Sequence, residues 1–392
     1  MGKHTFADAQ IIKFSNSIEH NYAKDIKHFR SLENNNEKAV SCWAPFQAMH
    51  IDKKANCGPC PFSLTDTPDM FEWRPDNSLL DIWNNPIMER MRDIHLEGDI
   101  NRVWCKYCNN SRDEGKPPSS LDFDHIGGKL SLNHSYPQEL ELELSNKCNY
   151  MCNACSPWCS SKHMEKLPDY VPNDIRFSSV FDDPEMIKIF VEDLRSIIHH
   201  MHRLNFTGGE PFAQRPVYEI LKMINEENPK DLHIHFTTNG SVMNGMVKKL
   251  AARPNTHFTI SLDSIDPIKY PLIRVNGELD NVLSNIDIYQ SLCTGVIGCS
   301  FVIQRDNVYD LPKIVSWCNE KEIIFSYHIM SRMGRRDSWE SLGLAEHRVE
   351  GQNSKYLNKL RKYLLSAKLE STGSILSGKN IEMYHQYIER IK

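Results

Sequence analysis

The fold of this 392-residue chain is constrained most by a run of alternating strand-like and helix-like segments between residues 136 and 335. The run opens on Leu140-Glu141-Leu142-Glu143-Leu144, whose period of two predicts a strand with one apolar face. Pro184 to Met201 then carries Ile187, Phe190, Val191, Leu194, Ile197, Ile198 and Met201 at i, i+3, i+4 spacing. This predicts an amphipathic helix that Asp182 or Asp183 caps and in which Pro184 suits the first position. Strands follow over 203–207, 232–237, 257–262, 296–303 and 323–329, separated by helices over 216–225, 242–252, 279–292 and 311–319. Six such units predict an α/β chain with a parallel sheet and helices outside it. Six rather than eight predict a partial (β/α)6 TIM-like barrel, open along one side.

Ligands in sheets of this kind gather at the carboxyl ends of the strands, and most of the polar anomalies fall there. Gly208-Gly209-Glu210-Pro211 ends one strand, Asn239-Gly240 the next, Asp263 the one after, and Gln304 the strand over 296–303. Two glycines let main chain approach a ligand closely, although a Gly-Gly pair is also an ordinary turn. Directly after the first strand comes Cys148-Asn149-Tyr150-Met151-Cys152-Asn153-Ala154-Cys155, three thiols spaced C-x3-C-x2-C. Three thiolates can hold a [4Fe–4S] cluster while leaving one iron without a protein ligand, since such clusters normally take four. The same thiols could be part of a structural zinc site, which closes with four N/S ligands, and His163 lies eight residues beyond Cys155.

The cysteine spacing, the Gly-Gly-Glu-Pro segment and the strand order together resemble the radical SAM enzymes. The resemblance implies that Cys148, Cys152 and Cys155 hold a [4Fe–4S] cluster whose open iron chelates S-adenosylmethionine (SAM), and that reductive cleavage of SAM yields a 5′-deoxyadenosyl radical that abstracts hydrogen from a substrate. It implies that Gly208, Gly209 and Glu210 engage the SAM amino group, and that Ser261 and Asp263 approach its ribose or carboxylate. Arg274 matches a family arginine, and a guanidinium can bind a carboxylate bidentately; a solvated surface arginine is the alternative. Asn239 and Gln304 are further cofactor-binding candidates. The residue before the third cysteine is often aromatic in the family, whereas Ala154 stands here, so Tyr150 is the candidate to pack near adenine.

Residues 1–135 hold five of the twelve cysteines: Cys42, the Cys57-Gly58-Pro59-Cys60 pair, and the Cys105-Lys106-Tyr107-Cys108 pair. A hairpin is expected between Cys42 and Cys57, and a helix over 79–96 ends at Glu97-Gly98. Paired C-x2-C in an intracellular protein reads as zinc in general. The segment also resembles the twitch or SPASM-type modules that accompany many radical SAM proteins, through its Cys-Trp-x-Pro start and Asp81-Ile82-Trp83-Asn84. That resemblance implies one auxiliary [4Fe–4S] cluster on Cys42, Cys57, Cys105 and Cys108, with Cys60 as a spare or alternative ligand.

Composition adds limits. A formal charge of −5, from 46 Lys and Arg against 51 Asp and Glu, gives no basic footprint for nucleic acid. Clustered cysteines in a chain of this length do not resemble a secreted disulfide framework. No signal peptide or membrane-length apolar run is visible, so a cytoplasmic location is expected. The expected organisation is a Cys-rich module over 1–135, the barrel over 136–335, and a helical extension over 336–392. Arg332, Arg335 and Arg336 form a small basic group after the last strand. The leading functional expectation is oxidative modification of a peptide or protein side chain, with electrons from a donor such as flavodoxin or ferredoxin. The alternatives are a dehydrogenase or epimerase of a carbohydrate or nucleoside, and a non-catalytic metal-binding scaffold.

Overall fold

The computed structural model describes residues 42–63, 71–98, 105–106, 108–109, 135–155, 158–166, 179–304, 306–307 and 310–329. The basic group at Arg332, Arg335 and Arg336 and the extension over 336–392 lie outside these residues. In chain order the strands are β1 (Ala48–Ile51), β2 (Cys57–Gly58), β3 (Glu139–Leu142), β4 (Met151–Cys152), β5 (Arg203–Phe206), β6 (His233–Thr238), β7 (Thr256–Ser261), β8 (Arg274–Val275), β9 (Ile297–Ile303) and β10 (Ile324–Ile329). All six strands read from the sequence are present as β3, β5, β6, β7, β9 and β10, and helices follow most of them. The class is α/β with mostly parallel strands, as expected. No helix of the described residues is long and apolar enough to cross a membrane.

The described chain falls into two compact units. One takes the residues up to Leu144 together with 180–205 and 219–232. In it β5, β3, β1 and β2 lie side by side in that order. Strand β1 is antiparallel to β2, with His50 opposite Gly58, which is the hairpin read from the sequence. It is also parallel to β3, with His50 opposite Glu141, a pairing between distant segments that no local pattern announces. The alternation in β3 is realised: Leu140, Leu142 and Leu144 are buried, while the acidic face finds partners. Glu139 accepts from Asn205 Nδ2 at 2.6 Å, Glu141 lies 3.1 Å from His50 Nδ1, and Glu143 lies 3.9 Å from the buried Lys53. Trp73 packs on Phe181 and Phe190, and its indole N–H donates to Asp193 at 2.8 Å.

The helix expected over 79–96 is two helices, Leu79–Trp83 and Pro86–Leu96. The cause is local. Pro86 has no N–H to continue the first helix and instead starts the second, where Asn85 accepts the Ile87 N–H at 2.9 Å. The break leaves Ile87 42% exposed, so it does not line the apolar face the sequence suggested. The helix over 184–201 likewise ends as Pro184–Ile197 and finishes in a 3-10 turn, Ile198–His200.

The second unit comprises Ser145–Ser179, Phe206–Tyr218 and the residues from His233 onward. Strands β10, β9, β7 and β6 lie in that order, all parallel. Their core is aromatic: Phe236 stacks on Phe206 with centroids 4.7 Å apart, and Phe258 lies 4.5 Å from Tyr289. A separate antiparallel pair, β4 with β8, sets Cys152 opposite Arg274.

Candidate active site

The three thiols of the C-x3-C-x2-C loop are held by main chain and by polar side chains around them. The loop enters strand β4 at Met151 and leaves it through a turn in which Cys155 N–H donates to Cys152 O at 3.0 Å. Asn153 ties the turn down, its N–H donating to Ile273 O at 3.0 Å and its amide to Leu272 O at 3.0 Å. Ser160 Oγ donates to Tyr150 O at 2.7 Å. Buried His163 lies 3.0 Å from Cys152 O through Nε2; a carbonyl only accepts, so this nitrogen carries the proton. His163 thus braces the cysteine loop through its main chain.

All three thiols are pushed up. For Cys148 burial leads, to about 11, against the Tyr150 N–H that reaches its sulfur at 3.4 Å. For Cys152 burial outweighs the opposing Arg274 guanidinium. For Cys155 a hydrogen bond with Cys159 leads, followed by burial and then by the charges of Cys159, Cys152 and Cys148. Raised thiols are protonated at neutral pH, and a bound metal centre would expel those protons. Among the described residues no three His, Cys, Asp or Glu side chains converge at the spacing of a single-ion site. Ligands of a cluster bind different irons and need not converge on one point. An all-thiol, three-membered donor set fits an iron–sulfur cluster that leaves one iron without a protein ligand.

Gly209 is pressed against the segment that runs into Cys148. Its N–H donates to Ser145 O at 2.9 Å, and the Glu210 N–H donates to Lys147 O at 2.9 Å. A methyl group on Gly209 would sit 2.2 Å from Lys147 O, so only glycine allows this approach. Gly208 takes φ +96°, the left-handed region that suits glycine. Buried Glu210 faces inward: Oε1 accepts from Thr238 Oγ1 at 2.7 Å and Phe212 N–H at 3.2 Å, and Oε2 accepts from Asn239 N–H at 2.7 Å. Burial raises its pKa, and these donors oppose the rise. The carboxylate expected to meet a ligand ammonium is thus engaged in joining the ends of two strand loops.

Asn239 continues the link toward the cysteines. Its Nδ2 donates to Asn149 Oδ1 at 2.8 Å, while its own Oδ1 accepts from the Ser241 N–H at 2.9 Å and Oγ at 2.6 Å. Asn149 Nδ2 in turn donates to Ser241 Oγ at 2.8 Å. Asn149, Ser241, Thr238 and Ser145 were missed as contributors. Their only signal in the sequence was a short polar residue beside a motif.

Asp263 and Arg274 come together. Arg274 Nε lies 2.7 Å from Asp263 Oδ2, both side chains are buried, and Arg274 Nη1 donates to Cys152 Sγ at 3.6 Å. Burial disfavours the guanidinium charge, but Asp263 and Cys152 outweigh it and hold Arg274 well above its ordinary value. The arginine read as a carboxylate binder or a solvated surface group is therefore in a buried ion pair. Tyr150 is buried near Gly277 and Tyr270, and burial raises its hydroxyl against hydrogen bonds to Tyr270 and Ser241. Ser261 is half-buried at the end of β7. Gln304 is fully buried, its main-chain N–H donates to Asn307 Oδ1 at 2.8 Å, and both atoms of its side-chain amide lack a hydrogen bond among the described residues.

Residues 142–318 match the family model described as the Radical SAM superfamily. This stretch is a radical SAM domain. It contains the three cysteines, the Gly-Gly-Glu segment and the Asp263–Arg274 pair. The chain is 27% identical over 183 residues to a probable GTP 3′,8-cyclase of Methanocaldococcus jannaschii, covering 47% of this chain and 55% of that one. It is 29% identical over 203 residues to a GTP 3′,8-cyclase of Campylobacter jejuni, covering 51% and 56%. The chain spans about half the length of the curated relatives it matches. Among solved structures it is similar to Streptococcus suis SuiB bound to precursor peptide SuiA, at TM-score 0.43 and 14% identity, covering 70% of this chain and 61% of that one. It is also similar to anSMEcpe with bound AdoMet, at TM-score 0.42 and 14% identity, covering 61% and 63%.

In the other unit, the N-terminal Cys-rich segment brings four further thiols within electrostatic reach of one another. Burial leads in raising Cys42, and the charges of Cys60, Cys105 and Cys108 add to it. Cys60 is pushed up to about 11 by burial, with Cys108 contributing. Buried His95, which the sequence reading passed over, lies 3.7 Å from Cys105 through Nε2. Cys57 stands apart from that group: its thiol donates to Ala55 O at 3.5 Å, and after burial the charge of Asp52 does most to raise it. Of the two thiols of the Cys57–Cys60 pair, Cys60 is the one whose charge bears on Cys42. The C-x2-C spacing does not say which thiol turns inward. Cys57 lies in strand β2 of the hairpin.

Proposed function

We propose that this protein is a radical SAM enzyme in which Cys148, Cys152 and Cys155 hold a [4Fe–4S] cluster. When bound, that cluster supplies the electron that cleaves SAM to methionine and a 5′-deoxyadenosyl radical, which takes a hydrogen atom from substrate. The observation that carries the reading is a loop of three thiols whose leading segment is joined to the Gly-Gly-Glu segment by the Gly209–Ser145 and Glu210–Lys147 hydrogen bonds. In this reading Gly208, Gly209, Asn239, Ser261 and Gln304 receive SAM. The unpaired Gln304 amide offers one donor and one acceptor to a polar ligand edge. Glu210 acts by fixing the 238–239 turn, and Tyr150 by packing beneath the loop. Cys42, Cys60, Cys105 and Cys108 hold an auxiliary cluster, for which zinc is the competing occupant. Cys60→Ser should then lower iron per protein after anaerobic reconstitution, whereas Cys57→Ser should leave it unchanged. Equal losses in the two variants would sink that ligand set.

The curated relatives are named as acting on GTP, which favours a nucleoside- or carbohydrate-bearing small molecule as substrate. Oxidation of a peptide side chain is the other reading, implied by the resemblance of the Cys-rich segment to modules of peptide-modifying enzymes. The test is anaerobic incubation of the reconstituted protein with SAM and dithionite, with 5′-deoxyadenosine read by mass spectrometry. Nucleotide and peptide candidates deuterated at carbon are added separately, and deuterium in the 5′-deoxyadenosine identifies the class that donates hydrogen. Cluster-loaded protein that cleaves no SAM with either class would favour the non-catalytic scaffold.

A further inference from the structure

We propose that Arg274 is a positioning residue for electron entry: anchored by Asp263, its guanidinium faces the Cys152 sulfur and raises the reduction potential of the cluster that Cys152 helps to hold. The proposal rests on the reading that Cys148, Cys152 and Cys155 are cluster ligands. Arg274 and Cys152 are opposed in the β4–β8 pair, so their proximity is set by backbone register rather than by flexible side chains. The guanidinium is gripped at one end, with Nε 2.7 Å from Asp263 Oδ2, and presents Nη1 to Cys152 Sγ at 3.6 Å from the other. Asp263 is itself fixed, its Oδ1 accepting from Val302 N–H at 2.7 Å and its main-chain carbonyl from Asn307 Nδ2 at 2.9 Å. The pair is therefore an oriented dipole, with its cationic end toward the sulfur.

Such a pair is poorly explained as a stabilising device, because desolvation offsets most of the Coulombic gain of a buried ion pair. Its electrostatic reach is a better account. Hydrogen bonds to cluster sulfurs and the local charge set iron–sulfur potentials, and a buried cation is little screened by salt. Reduction adds negative charge beside the guanidinium, so the cation stabilises the reduced state more than the oxidised one. Cys148 receives a neutral Tyr150 N–H and also feels the Arg274 charge, whereas the guanidinium contact itself is made to Cys152.

The test is an EPR-monitored redox titration of anaerobically reconstituted full-length protein, with iron content and circular dichroism as folding controls. Arg274→Gln should shift the reduction equilibrium at least tenfold toward the oxidised cluster, about 59 mV for a one-electron couple, and Arg274→Lys should recover part of the shift. A potential in Arg274→Gln equal to that of the native protein at full iron content overturns the proposal. If Arg274→Gln takes up no cluster, Arg274→Lys decides: a potential below the native one supports the proposal, and an unchanged or raised potential overturns it. Native protein that binds no iron–sulfur cluster removes the underlying reading instead.

Discussion

Cys152→Ala should abolish 5′-deoxyadenosine formation, while Cys159→Ala should retain it at near-native level. The two residues make a sharp pair because both are close to Cys155. Cys155 feels the charge of Cys152 and hydrogen-bonds with Cys159. Spacing alone does not rank them, since Cys159 lies four residues after Cys155 and Cys152 three before it. The structure does. Cys152 sits in β4, buried, opposite Arg274 and under the His163–carbonyl contact, so its sulfur has a fixed place. Cys159 follows the turn and hydrogen-bonds with Cys155. Removing one of three thiolates leaves a second iron without a protein ligand, and the variant should also lose most of its iron and its visible absorbance. Product from Cys152→Ala at the native rate would end the proposed ligand assignment. Loss of product from Cys159→Ala at full iron content would mean that it takes part in catalysis.

The fold class was legible because the barrel strands and their helices are local patterns of period 2 and 3.6, and these segments are long enough to show them. The boundaries moved by one to three residues in most elements, as at Gly245–Ala251, where Asn244 caps the helix through Met246 and Val247 and so starts it later than apolar spacing suggested. What stayed hidden depends on long-range pairing. The two-residue strands β4 and β8 carry no periodicity, and only their pairing brings Arg274 to Cys152. The parallel match of β1 to β3 joins segments 91 residues apart at His50 and Glu141. Motif residues were found by type, but their partners were not: Glu210 turns toward Thr238 and Asn239, and the Cys57 thiol donates to Ala55 O. Sequence spacing specifies which groups are available. Backbone direction, fixed by strand register and turns, specifies what each group meets.

Gly209→Ala tests that dependence at the tightest backbone approach near the cysteine loop. The added methyl would lie 2.2 Å from Lys147 O, 2.7 Å from Asn146 C and 2.8 Å from Lys147 C. All three are main-chain atoms, so no side chain can swing aside to relieve the clash. Overpacking of this kind costs about 1–3 kcal/mol, and relief requires breaking the Gly209–Ser145 or the Glu210–Lys147 hydrogen bond. Each such loss adds about 0.5–1.5 kcal/mol. Urea unfolding should show a lower midpoint with an unchanged slope, the signature of lost stability without a change in surface exposed. Because Lys147 directly precedes Cys148, reconstitution should also yield less iron in the folded variant. Gly245→Ala is the control. It meets nothing within 4 Å and lies at the first position of the helix Gly245–Ala251, so it should be neutral or stabilising by up to about 1 kcal/mol through the unfolded chain. Equal midpoints for the two alanine variants would show that the Gly-Gly-Glu segment yields freely, and that the hydrogen bonds to Ser145 and Lys147 do not hold the cysteine loop in place.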